Sequence, residues 1–289
     1  MKKQTIIIIT VLTAGITASF LIWNLNSVPA ITYFPTDKQT SFEYANTNLD
    51  MLSEKTVDTY EVLWNISSKS DRTLYLRQDA SLLFVNGVLR GIRSKWEEDT
   101  AGIEIKEKLS GEDSSYFQSI SYHHGEVHYP DDRIKSIHTM TYDQLYVIDS
   151  PNTPLESFKV PKDDYETQWS TLLIHTTHQQ LLYSWKQLIN HFQINNESYL
   201  AVPLTRLYKY NHEPLPSFTQ DQTNQIIGQL WEGLYKNYIL TAKNIEEGEQ
   251  LNSYIPIILF DKQNKHLIVL YELNGEKHRL IQQYPDFDD

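Results

Sequence analysis

There is no cysteine among the 289 residues of this chain. That excludes disulfide staples, a thiol nucleophile, thiolate metal sites and the lipid-modified cysteine of a lipoprotein, so stability has to come from burial alone. The sequence also has neither a G-x-S-x-G elbow nor a G-x-x-x-x-G-K-[ST] loop. Their absence removes the serine hydrolases built on a strained turn and the nucleotide binders built on a phosphate loop. Positive charge is scarce: 25 Lys and Arg stand against 37 Asp and Glu, for a net charge of −12. A chain this acidic has no electrostatic case for nucleic acid or for anionic lipid head groups. No internal repeat or low-complexity tract is present.

One feature is unusually long. From Thr5 to Trp23 the chain reads TIIIITVLTAGITASFLIW, preceded by Lys2 and Lys3 and followed by no charge until Asp37. At about 1.5 Å per residue, roughly 20 helical residues span about 30 Å, the thickness of a bilayer's hydrocarbon core. The expectation is a single-pass anchor over residues 5–23, with the N-terminus cytoplasmic by the positive-inside bias and the remainder extracytoplasmic. Trp23 stands where an indole favours the membrane interface. The rival is a cleaved secretory signal, with Val28-Pro29-Ala30 offering small residues for cleavage after Ala30; the run is longer than the usual signal core, which favours the anchor. A cysteine-free exported chain fits a Gram-positive envelope.

Punctuation divides the rest. Residues 1–27 are read as cytoplasmic stub and anchor, and 28–56, rich in Asn, Thr and Ser, as a juxtamembrane linker. Residues 57–150 alternate with period two and are read as an antiparallel β lobe. Within it Asn86-Gly87 is the strongest hairpin signal. Pro151, Pro154 and Pro161 mark a proline-rich connection over 151–163. Residues 164–289 are read as a helical lobe with C-terminal strands. Its first helix, 164–192, carries an apolar face that rotates midway, implying either two different neighbours or a break near Ile174. The second starts at Thr219 with a capping box to Gln222, and Gly228 and Gly233 on it suggest close backbone packing. Asn274-Gly275 signals a final hairpin. The fold class expected is therefore α+β: a transmembrane helix, a mainly antiparallel β lobe, and a lobe of two long helices with a C-terminal β-hairpin.

The candidate chemistry is thin. In Tyr122-His123-His124-Gly125-Glu126-Val127-His128, a straight strand would place His124, Glu126 and His128 on one face, as in a two-histidine carboxylate metal site. The outer pair would stand about 13 Å apart, too far for one ion, and the plainer reading is a solvated hairpin tip. His175 and His178 lack the glutamate of a helical zinc motif, and His191 points away from both. The acid pairs Asp131-Asp132 and Asp163-Asp164 read as solvated loops, as does the tail 286–289. Arg206 and Lys209, with Tyr208 between them, are local cations suited to a carboxylate or phosphate ligand. No metal site is assigned and no cofactor is called for. The leading functional expectation is a non-enzymatic interaction or regulatory protein of the bacterial envelope, its partners the membrane through residues 5–23 and another envelope or membrane protein. The alternatives are an envelope hydrolase or metal-dependent enzyme using His124, Glu126 and His128, and a receptor for peptides or glycans using the aromatic side chains with Arg206 or Lys209.

Overall fold

The computed structural model describes residues 30–56, 59–151, 154–246 and 251–287. The anchor expected over residues 5–23 lies outside the described residues; among those described, no helix is long and apolar enough to cross a membrane. The two-lobe α+β expectation is overturned. The chain is mostly antiparallel strand, about half of it, organised around a nearly closed barrel-like sheet, with three helices among the described residues.

The barrel is built from β1 (Phe42–Thr56), β2 (Thr59–Val85), β3 (Val88–Gly111), β4 (Ser115–His128), β5 (Ile134–Ile148) and the short β6 (Glu156–Phe158). Its beginning lies inside the segment read as a linker. There the inward positions Thr47 and Leu49 are buried, while the polar residues between them hide the alternation from a hydropathy reading. The 27-residue β2 organises the sheet. Its first half pairs with β1 and its second half with β4, while β3 runs along its other edge throughout. A register irregularity between Lys69 and Leu74 bends the strand, and with the bend the inward parity switches. Tyr60, Val62, Trp64, Ile66, Ser68 and Ser70 face inward before it, and Arg77, Asp79, Ser81 and Leu83 after it. A bulge of this kind is how a strand changes which side chains meet the core.

The sheet fails to close by backbone pairing between β1 and β5. Side chains join that seam instead: Thr47 Oγ1 meets Thr141 Oγ1, and the Leu49 amide donates to Asp143 Oδ2. Lys159 donates to Asn48 and Asp143 across it. At the end of β5 away from β6, Asp37 N donates to the Ser136 carbonyl at 2.8 Å.

The second sheet has the order β10-β9-β8-β7, formed by β7 (Tyr199–Pro203), β8 (Ile257–Asp261), β9 (His266–Leu273) and β10 (Glu276–Gln283). Among the described residues three helices complete the fold: α1 (Asp164–His191), α2 (Gln220–Leu234) and α3 (Leu240–Glu246), the last two joined by a π turn over Tyr235–Ile239. Residues 31–289 form one compact unit. Both hairpin turns have two residues at positive φ, Asn86-Gly87 (50° and 80°) and Asn274-Gly275 (46° and 87°), as the favoured two-residue turn requires. The capping box of Thr219 and Gln222 is present. α1 does not break and its buried face does not rotate. Ser170, Thr177 and Ser184 complete one stripe with Leu173, Leu181, Trp185 and Leu188, while Ile174 faces solvent. Small polar residues carried the periodicity that apolar residues alone did not show.

Candidate functional site

β4 is a central strand, buried from Ser115 through Val127, because the sheet's outer face is covered by α2 and the π turn. Trp231 stacks on Tyr122 at 4.9 Å, and Gln78 donates to the Tyr235 hydroxyl. The reading of residues 123–128 as a solvated hairpin tip is therefore corrected. His124, Glu126 and His128 do share one face, yet they do not converge. His128 Nε2 lies 3.1 Å from Glu126 Oε2 and its ring stacks on Tyr75, whereas His124 packs beside Tyr122, cross-strand from His138. Neither ring nitrogen of His124 makes a hydrogen bond of ordinary geometry. Burial pushes its pKa down to about 3, helped by His138 and Arg77 and opposed by Asp79 and the Thr32 backbone. Among the described residues, no group of three or more His, Asp or Glu is placed to hold a metal ion.

The polar groups that do converge lie inside the barrel. Asp79 Oδ2 is 2.7 Å from His123 Nδ1, and His123 Nε2 is 2.8 Å from Thr141 Oγ1. Asp79 and His123 are fully buried. Asp79 Oδ2 also accepts from Ser68, and Arg77 Nη2 lies 3.6 Å from Asp79 Oδ1. Burial lowers the Arg77 pKa, and Asp79 pulls it back up. Arg77 is further held by the carbonyls of His124 and Ala101, and Phe42 lies under its guanidinium at 4.9 Å. The inward faces of β2, β4, β5 and β1 extend the line of hydroxyls from Thr141 through Thr47 and Ser121 to Ser81. Sequence spacing gave no sign of this set: its acid and imidazole are 44 residues apart, and their meeting depends on strand register.

Thr141 lines a surface cleft of about 490 Å³ over the β1–β5 seam, with Phe42, Ile137, Thr139 and Asn211 among its walls. Asp37 also contributes. Burial pushes the Asp37 pKa up, but hydrogen bonds from Thr40, Tyr129 and the Gln39 backbone, with Lys135 nearby, outweigh it and hold the group below the usual carboxylate range.

A larger cleft, about 920 Å³, opens between α1 and β7. Its apolar surface comes from Leu182, Trp185 and Ile189 of α1 and from Val202, Pro203 and Ile257. Trp185 is fixed there because its indole N–H donates to the Ile255 carbonyl at 2.7 Å. Around the apolar surface stand Lys186, Arg206, Lys209 and His178, with Glu213 the acid in the lining. Arg206 and Lys209 come from a 3₁₀ turn over Leu204–Asn211. None of the three cations Lys186, Arg206 and Lys209 has an ion pair among the described residues. Tyr208, expected beside them, turns away and stacks on Tyr142 at 4.8 Å. His175 and His191 are outside the cleft lining as well.

No family model matches the chain, and no curated protein matches it at a significant level.

Proposed function

We propose that this is an anchored, extracytoplasmic interaction or regulatory protein whose larger cleft binds an extended peptide segment bearing a carboxylate. The observation that carries the reading is local: three cations without ionic partners among the described residues surround an apolar cleft in a molecule of net charge −12. Such a cluster repels itself and stays hydrated until an anion joins it, so it favours a carboxylate with the geometry of a guanidinium fork. A peptide is preferred to a glycan for two reasons. The walls are mostly aliphatic, with Trp185 nearly buried rather than offered as a stacking platform. β7 is also the edge strand of its sheet, and Ala201, Val202 and Pro203 line the cleft; a free edge accepts an added strand through main-chain hydrogen bonds. The leader over residues 5–23 supports a position at the outer membrane face, where confinement raises the effective concentration toward other membrane residents.

Calorimetric titration of the full-length protein with a short valine-rich peptide tests this. The free acid binds, and the C-terminal amide binds at least tenfold more weakly. Arg206→Ala and Lys209→Ala each weaken the acid by roughly tenfold or more, the effect of removing a hydrogen bond to a charged group worth about 1.5–3 kcal/mol. Equal affinity for acid and amide, or for wild type and the double variant, would overturn the proposal.

A further inference from the structure

We propose that Thr141 is an acyl acceptor, activated by His123 and Asp79, for small neutral carboxylic esters that enter the cleft over the β1–β5 seam. This site is separate from the peptide cleft and does not depend on it. Three observations converge. The hydrogen bonds run Asp79 Oδ2 to His123 Nδ1 at 2.7 Å and His123 Nε2 to Thr141 Oγ1 at 2.8 Å. An ionised Asp79 fixes the tautomer with the proton on Nδ1, which leaves Nε2 as the base facing the hydroxyl. Thr141, unlike the two residues behind it, keeps partial solvent exposure and lines a cleft of about 490 Å³. The relay therefore ends at a place a substrate can reach.

The chemistry balances without a cofactor. Thr141 Oγ1 attacks the ester carbonyl carbon while its proton passes to His123 Nε2. The tetrahedral adduct collapses by breaking the bond to the alcohol oxygen, and the alcohol leaves with that proton. Water, deprotonated at the same nitrogen, then cleaves the acyl-threonine to carboxylic acid and the free hydroxyl. Two donors line the cleft for the developing oxyanion: the Thr139 hydroxyl, and Asn211 Nδ2, which gives one of its two N–H groups to the Met140 carbonyl. Phe42 and Ile137 supply apolar wall for the acyl chain, and the negative charge of Asp37 disfavours an anionic one. Thr47 Oγ1, 2.5 Å from Thr141 Oγ1, holds the hydroxyl in place from the far side of the seam. Asp79 acts through His123 and is a positioning residue.

The test is p-nitrophenyl acetate with the full-length protein, following phenolate release and mapping acetyl groups by peptide mass spectrometry. The expected result is a burst of phenolate with acetyl on Thr141. Asp79→Asn lowers the rate of acetylation while leaving KM for the ester unchanged, a split that a role in folding alone does not produce. Thr141→Ser keeps or raises the burst, and Thr141→Val, which preserves shape, lowers it about a hundredfold or more, the range of general-base catalysis. Circular dichroism confirms that both variants are folded. Absence of acetyl at Thr141 in folded wild type after prolonged exposure, or an undiminished burst in Thr141→Val, overturns the proposal. A burst retained by Thr141→Ser and lost by folded Thr141→Val supports it even if Asp79→Asn fails to fold.

Discussion

His124 shows how a buried side chain becomes a pH-dependent liability. It is 1% exposed, with no hydrogen bond of ordinary geometry to either ring nitrogen, so protonation places a buried charge beside His138 and Arg77 that Asp79 and the Thr32 backbone only partly offset. Its folded pKa of about 3 lies below the unfolded value near 6.5. A depressed pKa means that the unfolded chain binds the proton first. The stabilisation is whole above about pH 6.5 and is lost as pH falls toward the folded value, at about 1.4 kcal/mol per pH unit. His138, lowered to about 4 by burial, adds a share of the same sign, discounted because the residue as a whole is only half-buried. Urea midpoints should therefore fall between pH 6.5 and 4.5, and His124→Phe should flatten that slope; an equal slope in the variant would assign the acid sensitivity elsewhere. At this scale the sequence pointed to a region and missed its chemistry. It marked His124, Glu126 and His128, which do not converge, and passed over His123, whose partners Asp79 and Thr141 sit on other strands. Arg206 and Lys209 were legible because both lie on one short turn.

The elements most visible in the sequence are those decided locally. Asn86-Gly87 and Asn274-Gly275 demand positive φ, and the Thr219 box satisfies amides within four residues of itself. β1 was missed because its inward residues include Thr47, whose burial is justified only by Ser121 and Thr141 on other strands. In its neighbour β2 the bend near Lys69–Leu74 interrupts the alternation, so the length of that single strand is not legible in the sequence. The two glycines of α2 separate local propensity from packing. A Cβ on Gly228 would stand 2.4 Å from Tyr33 Cδ2, whereas one on Gly233 would meet nothing within 4 Å. Gly233→Ala should therefore stabilise the protein by about 1 kcal/mol through helix propensity. Gly228→Ala should destabilise it by about 1–2 kcal/mol, since overpacking exceeds that gain. Denaturant midpoints of the two variants check this, and a shift of the same sign in both would show that Tyr33 does not constrain the helix.

For the molecule as a whole, the separation of charge is the feature that bears on function. Acidic residues dominate the chain, yet Lys186, Arg206 and Lys209 gather at one apolar cleft beside an unpaired strand edge. The three-proline connection suggested two lobes, but residues 31–289 form one unit, because the segment after the hairpin tip ties the sheets together. The Leu89 amide donates to Ser253, the Ile255 amide donates to Gly87, and the Ile255 carbonyl holds Trp185. Those bonds fix Trp185 in the wall opposite β7, and a wall fixed in advance would reduce the ordering cost of the proposed binding. The most direct test of a peptide joining the β7 edge is amide hydrogen exchange on the full-length protein with and without saturating free-acid peptide. Protection should rise over residues 199–203 and leave the β1–β5 seam unchanged, while exchange over 199–203 that is indifferent to the peptide would contradict the account.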